Sequence, residues 1–243
     1  MAALKYRFFE PLPALAPQNT AVTAGDGLQA IVGKLQGQLT QFAAYPRRHA
    51  DNAGSATAKN WTVPAGVYAL RFRLFGPGAN GIAGQNSGPR SGGGGGGAGA
   101  YCEGTLAVTP GELIAYRIPP AGSVSAAWLL AETGDARIVA GAGVQGTAAG
   151  VGGAGGAASV GGDHAARVIG VAGRNGRGGF SATLALTVHD DGGDGADTLL
   201  GSGGRGGKDA NGTTASGYGA GGGGCPAGNT PGGGAAAALV LEF

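Results

Sequence analysis

The chain has 243 residues, of which 56 are glycine, 12% charged and 6% aromatic. So few large side chains cannot supply the apolar core of an enzyme of this length. The formal net charge of +2 comes with no basic stripe or interleaved aromatics, which argues against nucleic-acid binding.

Glycine is unevenly spread: residues 139–243 hold 34 of the 56 and residues 76–100 another 12. Residues 1–25 are expected to be extended, because Pro11, Pro13 and Pro17 forbid helix. Charges in the first ten residues interrupt any signal-peptide core, and no run is long and apolar enough for a membrane span, so neither a secretion signal nor membrane insertion is expected.

Residues 26–44 read as a helix that Asp26 could cap and Pro46 would end, with Arg47-Arg48-His49 at its negative terminus. Leu28, Val32, Leu35, Leu39 and Phe42 follow alternating steps of four and three, an a/d seam. The pattern fits either a short oligomerisation helix or an amphipathic helix packed on its own domain. Residues 1–58 are thus an arm with an oligomerisation or attachment helix, and residues 59–243 form the second domain.

The second domain opens with β signals. Trp61-Thr62-Val63 leads into a turn at Pro64-Ala65-Gly66, after which Tyr68, Leu70, Phe72 and Leu74 alternate with Ala69, Arg71 and Arg73. Tyr101–Val108 and Leu113–Ile118 flank Thr109-Pro110-Gly111-Glu112, a turn with proline and glycine in its central positions, and are expected to pair as a hairpin. Phe180–Val188 is strand-like. So is Leu239–Phe243, which is expected to return to the sheet and hold the glycine region at both ends.

The glycine runs admit three physical readings. A disordered linker does not suit runs broken by Val, Ile, Leu and Ala that end in a strand. Collagen requires glycine at every third position with abundant proline, which is lacking. An array of polyglycine II helices fits best: without Cβ atoms the backbones approach closely and hydrogen-bond to one another, so the core is main chain and the side chains vary at the turns. The fold class expected is mainly β with irregular glycine-rich structure: a short N-terminal helix, a small sheet or sandwich and a polyglycine II array.

No catalytic constellation appears. His49, His164 and His189 lack ligand spacing, and no glycine run is followed by the Gly-Lys-Ser/Thr of a phosphate loop, so the expectation is a protein that is not an enzyme, with no cofactor and no metal. Gly192–Leu200 matches a calcium nonapeptide once, but such calcium sits between successive copies; the alternative is a polar loop. Cys102 and Cys225 read as buried reduced thiols, with pairing as the alternative.

The order of these elements resembles phage and prophage tail-fibre proteins with a glycine-rich C-terminal domain. The residues that carry the resemblance are Trp61-Thr62-Val63-Pro64-Ala65-Gly66-Val67, the run Gly92–Gly97, Tyr101, Leu106-Ala107-Val108-Thr109-Pro110-Gly111-Glu112, Gly217-Tyr218-Gly219-Ala220-Gly221 and Leu239–Phe243. It covers about residues 59–243; segment 113–200, richer in Ala and Val, departs from the usual pattern. The resemblance implies a virion (phage tail) location after synthesis in the host cytoplasm, a homotrimer, attachment to other tail or baseplate proteins through residues 1–58, and receptor binding at the host surface, to a polysaccharide or pilus. A structural tail component without receptor contact is the alternative. A glycine-helix module of the antifreeze type would need a flat, regular face, against which the irregular spacing argues. Polar breaks between glycine segments are the receptor-binding candidates: Arg174, Asn175 and Arg177; His189, Asp190, Asp191 and Asp194; Lys208, Asp209 and Asn211; and Tyr218.

Overall fold

A computed structural model of the chain describes residues 23, 25–28, 30–35, 48–86, 91–129, 138–161, 168–184 and 187–243. Twelve strands run β1 Arg48–Asp51, β2 Lys59–Thr62, β3 Ala69–Phe75, β4 Tyr101–Ala107, β5 Leu113–Arg117, β6 Ala127–Leu129, β7 Ile138–Ala140, β8 Ala158–Val160, β9 Val168–Val171, β10 Phe180–Leu184, β11 Thr187–Asp191 and β12 Ala238–Glu242. Two five-stranded antiparallel sheets, β1-β12-β3-β4-β9 and β2-β5-β6-β7-β8, form a sandwich, and β10-β11 is a separate hairpin. The fold is mainly β, as expected, and the described residues contain almost no helix.

The period-two alternation in β3 buries Leu70, Phe72 and Leu74 against Ile114, Leu129, Ile138 and Leu241. The opposite face carries Arg71, Arg73, Glu103 and Glu242, which pair across strands, with Arg71 Nη2 3.2 Å from Glu103 and Arg73 Nη1 3.4 Å from Glu242. As expected, the C-terminal strand returns to the sheet: β12 lies between β1 and β3.

The hairpin expected over residues 101–118 is not formed. The turn at 109–112 exists, with the Glu112 N–H on the Thr109 carbonyl at 3.0 Å and the Thr109 N–H on Glu112 Oε2 at 2.8 Å. It carries the chain from one sheet to the other, so β4 pairs with β3 and β9, and β5 with β2 and β6. The physical reason is burial. Leu106 and Ile114 both belong to the sandwich core, and facing each other across it buries both, where pairing in one sheet would spread them along a single face.

Residues 48–51 follow the helix expected over 26–44 and form strand β1, whose Arg48 is in register with Glu242, so the sheet takes a strand from ahead of residue 59. Helix is present at Leu28 and residues 30–35. Asp26 receives the Thr23 N–H and the Lys34 ammonium, the latter at 2.7 Å. Leu28 and Leu35 are 78% and 47% exposed, and Val32 is partly buried. Leu39 and Phe42 lie outside the described residues.

Beyond the sandwich the described residues run out and back as ten extended segments: 76–84, 92–100, 141–147, 151–157, 172–179, 192–197, 202–207, 211–216, 219–225 and 231–237. Strand ends feed them directly, β3 into 76–84, β7 into 141–147, β9 into 172–179, and 231–237 into β12. Phe75, Tyr101 and Ala238, with Tyr218 against them, close the junction between sandwich and array.

Segment 92–100 lies at the centre of one hydrogen-bonded group. Its N–H donors rotate with period three: Gly94 and Gly97 donate to Thr147 and Val144, Gly95 and Ala98 to Arg177 and Arg174, Gly96 and Gly99 to Gly222 and Gly219. Its carbonyls rotate likewise, Gly93 and Gly96 accepting from Gly193 and Ala196, Gly94 and Gly97 from Ile82 and Ala79, Gly95 and Ala98 from Gly153 and Gly156. Six segments thus surround it: 76–84, 141–147, 151–157, 172–179, 192–197 and 219–225. Segment 219–225 is a second such centre, ringed by 76–84, 92–100, 192–197, 202–207, 211–216 and 231–237.

The absence of side chains in segment 92–97 has a direct cause. A Cβ on Gly96 would land on the Ala79 carbonyl oxygen, and one on Gly95 on the Asp194 carbonyl oxygen. The spacing that lets amide meet carbonyl leaves no room for a methyl group, and the buried main chain needs those bonds.

Candidate functional site

The hydrogen-bond neighbours lay segments 172–179, 192–197 and 202–207 side by side as one lateral face of the array. The Arg177 N–H meets the Asp194 carbonyl at 2.8 Å, and the Gly192 and Gly195 N–H groups meet the Gly207 and Gly204 carbonyls at 2.8 and 2.7 Å. Segments 92–100 and 219–225 lie behind the middle one.

Each segment of the face places its side chains by the same threefold rule. Gly173, Gly176 and Gly179 turn towards segment 92–100, where a Cβ would meet the Ala98, Gly95 and Gly92 carbonyls. Arg174 and Arg177, three residues apart, are left exposed. In 192–197, Gly192 and Gly195 face segment 219–225, which leaves Asp194 and Asp197 towards solvent; in 202–207 the exposed positions are Ser202 and Arg205. The result is a central acidic row with Arg174 and Arg177 on one side and Ser202 and Arg205 on the other.

Arg174, Asn175, Arg177, Asp194, Asp197 and Arg205 line a groove of about 510 Å³ on this face. Arg177 Nη1 lies 3.5 Å from Asp194 Oδ2, with side chains 81% and 47% exposed, so this pair adds little to stability. Among the described residues, Arg174 and Arg205 have no carboxylate within ion-pair distance.

Several polar residues of the face also do structural work. Outermost N–H groups lack a neighbouring segment on the solvent side, and side-chain oxygens take its place. Asn175 Oδ1 accepts from Gly155 at 2.9 Å, Asp194 Oδ1 from Gly206 at 2.8 Å, and Asp197 Oδ1 from Gly203 at 2.7 Å. On other faces Asn80 does this for Gly234 at 2.9 Å and Asn211 for Thr230 at 2.8 Å. Asp197, the aspartate of the calcium-type nonapeptide, is committed in this way. Among the described residues no three His, Cys, Asp or Glu side chains are grouped closely enough to hold a metal ion.

The remaining sequence candidates fall in two other places. His189, Asp190 and Asp191 are on β11, at the end of the array away from the sandwich, where His189 is in register with Ala182 and Asp191 with Phe180. Asp190 is buried, and Asp191 Oδ1 is buried without a hydrogen-bond partner. Lys208, Asp209 and Asn211 form the neighbouring turn, joined to the hairpin by a bridge between Asp191 and Lys208. Asp209 has φ +49°, a left-handed conformation that aspartate tolerates better than most residues. Tyr218 is elsewhere: its ring packs on Phe75 at 5.7 Å, at the sandwich end.

Sequence reasoning missed Asp197, Ser202 and Arg205. The available signal was the spacing Asp191-Asp194-Asp197 and Ser202-Arg205-Lys208, each a period of three that becomes a row once the threefold conformation is assumed. The face is also more regular than the irregular glycine spacing implied, because glycines and side chains keep one phase within each short segment.

Cys102 and Cys225 are both buried and unpaired with each other, Cys102 Sγ lying 3.5 Å from the Val139 carbonyl and Cys225 Sγ 3.2 Å from that of Asn229. Burial pushes the Cys102 thiol up to about 11 and that of Cys225 also upward. No described helix is long and apolar enough to cross a membrane. No protein-family model and no curated protein matches the chain.

Proposed function

We propose that this protein is a phage tail-fibre or tail-tip adhesin, without enzymatic activity, whose glycine-rich segments are polyglycine II helices. The observation that carries the reading is segment 92–100, whose donors and acceptors rotate with period three into six neighbours. This is the pattern of a threefold extended helix packed among its own kind, and it makes a core of main chain. Such a core leaves side chains at the perimeter available for recognition, on a scaffold whose closely bonded backbones resist deformation.

The adhesin assignment draws further support from the resemblance of residues 59–243 to tail-fibre glycine-rich domains. In this reading residues 1–58 attach the protein to the tail and bring three copies together. The charged groove and the distal turn at 208–211 meet the host surface, where several copies raise weak single contacts.

Two measurements test this. Mass spectrometry of isolated particles is expected to find the protein in the virion at a copy number divisible by three. Purified full-length chain is expected to bind host cells, and replacing 174–177 and 189–194 by Ser/Gly is expected to weaken that binding. Unchanged binding would remove these loops from the receptor contact, no binding by the intact chain would assign the protein to the structural, non-adhesive part of the tail, and absence from every particle would end the proposal.

A further inference from the structure

The groove on the lateral face has a chemistry of its own. Within it lie the guanidinium groups of Arg174, Arg177 and Arg205 and the carboxylates of Asp194 and Asp197. Both carboxylates already accept main-chain N–H groups, and Asp194 also faces Arg177. The cationic side is not matched in this way, since Arg174 and Arg205 have no acidic partner among the described residues. Three arginines against two aspartates leave the groove with a net positive charge, which favours anions.

The arrangement of that charge selects among anions. Arg174 and Arg177 are one threefold repeat apart, about 9 Å at a rise of about 3.1 Å per residue. That is roughly the length of a disaccharide. Phe180 follows three residues after Arg177 and is 61% exposed, beside Asp191 across the hairpin. Guanidinium groups bind carboxylates bidentately, and an exposed aromatic ring offers an apolar surface for a sugar face. A protein partner would instead be expected to find a central cluster of buried aromatic or aliphatic anchors, and the groove lining contains no large apolar side chain, Phe180 being outside it and single.

We propose that the face formed by residues 172–179, 192–197 and 202–207 binds an acidic polysaccharide, with Arg174, Arg177 and Arg205 receiving carboxylates spaced along the chain. This rests on the adhesin reading and narrows its ligand to a uronate-type glycan, held along the side of the array and not at its tip.

The test is calorimetric titration of the full-length protein with oligogalacturonate, a carboxylate-bearing polymer, and with dextran, a neutral one. Binding of the acidic polymer alone is expected, weakening steeply as salt is raised. The double variant R174A/R205A is expected to lose about tenfold or more in affinity. Arg48→Ala, which removes one positive charge from an exposed edge strand away from the face, is expected to bind as the wild type does. All these substitutions are at exposed positions, and unchanged melting temperatures would verify that the variants fold. Equal binding of dextran, equal losses in Arg48→Ala and R174A/R205A, or no binding of oligogalacturonate would overturn the proposal. Host-cell binding measured in parallel separates the two ideas. Cells bound equally by wild type and R174A/R205A would leave the adhesin reading standing and remove this one, whereas polymer binding without cell binding would do the reverse.

Discussion

The Tyr116 hydroxyl donates to Asp51 Oδ2 at 2.8 Å, joining β5 of one sheet to β1 of the other. Lys59 Nζ reaches the same oxygen at 2.8 Å from β2, and the Ala53 N–H donates to Oδ1 at 2.9 Å. One carboxylate therefore closes the open edge of the sandwich. Burial pushes the Asp51 pKa up, but the Lys59 ammonium, the Tyr116 hydroxyl and the Ala53 N–H outweigh it and leave the group below the ordinary carboxylate range. A depressed folded-state pKa means that this stabilisation is complete above the unfolded-state value and is lost as pH falls through the folded-state one. Thermal melts from pH 7 to pH 2 are expected to show a loss of stability in that acid window which Asp51→Asn diminishes. Tyr116→Phe is expected to cost about 1.5–3 kcal/mol at neutral pH, as a hydrogen bond to a charged group does. An unchanged melting temperature in Tyr116→Phe would show that the edge is closed by other means.

The array makes a sharper prediction about glycine. At Gly96 an added methyl group meets the Ala79 carbonyl oxygen, which is held by the Gly222 N–H. Gly96→Ala is expected to cost more than about 3 kcal/mol, at the severe end of overpacking. Gly111 differs: its φ is +86°, but a Cβ there meets nothing within 4 Å. Gly111→Ala should cost only the left-handed strain, about 1–2 kcal/mol. Chemical denaturation of the two variants checks the order; equal costs would mean that the backbones of the array separate readily.

What the sequence made legible follows from range. The alternation of Leu70, Phe72 and Leu74, the Pro110-Gly111 turn and the apolar Leu239–Leu241 strand are local patterns, and each formed the expected element. The partner of a strand is not a local property. β4 and β5 flank a good turn, yet the choice between pairing and crossing to the other sheet depended on which faces Val63, Val67 and Ile114 could fill together. The candidate site was legible in part for the same reason. Arg174, Arg177 and Asp194 were visible as polar breaks, but their grouping with Arg205 required knowing that segments 172–179, 192–197 and 202–207 are consecutive in space. Tyr218 resembled its neighbours in sequence, and only the packing on Phe75 places it at the other end of the array.

The cysteines give a chemical readout of the same packing. Cys102 is in the sandwich core and Cys225 ends the inner segment 219–225, and burial raises both thiols, so neither supplies much thiolate at neutral pH. Iodoacetamide at pH 8 is expected to leave both unmodified in the native protein and to label both in denaturant. A reductant should change neither the mass nor the melting temperature. Rapid native labelling of Cys225 alone would show that the outer end of segment 219–225 opens.

The polar side chains that bridge neighbouring segments separate structure from recognition. Asn175 supplies the acceptor that Gly155 lacks, and Asp194 supplies one to Gly206 while facing Arg177. Asp194→Asn keeps an oxygen for Gly206 and removes only the charge, so its melting temperature should stay near that of the wild type. Asp194→Ala and Asn175→Ala remove the acceptor and should each cost about 1 kcal/mol. Amide hydrogen exchange locates that loss, with faster exchange expected at Gly206 in the first variant and at Gly155 in the second. If Asp194→Asn exchanges at Gly206 as fast as Asp194→Ala, the carboxylate charge and not its geometry holds the segment. In that case Asp194 also contributes to the field of the groove, and the affinity of the face for anions should rise in both variants.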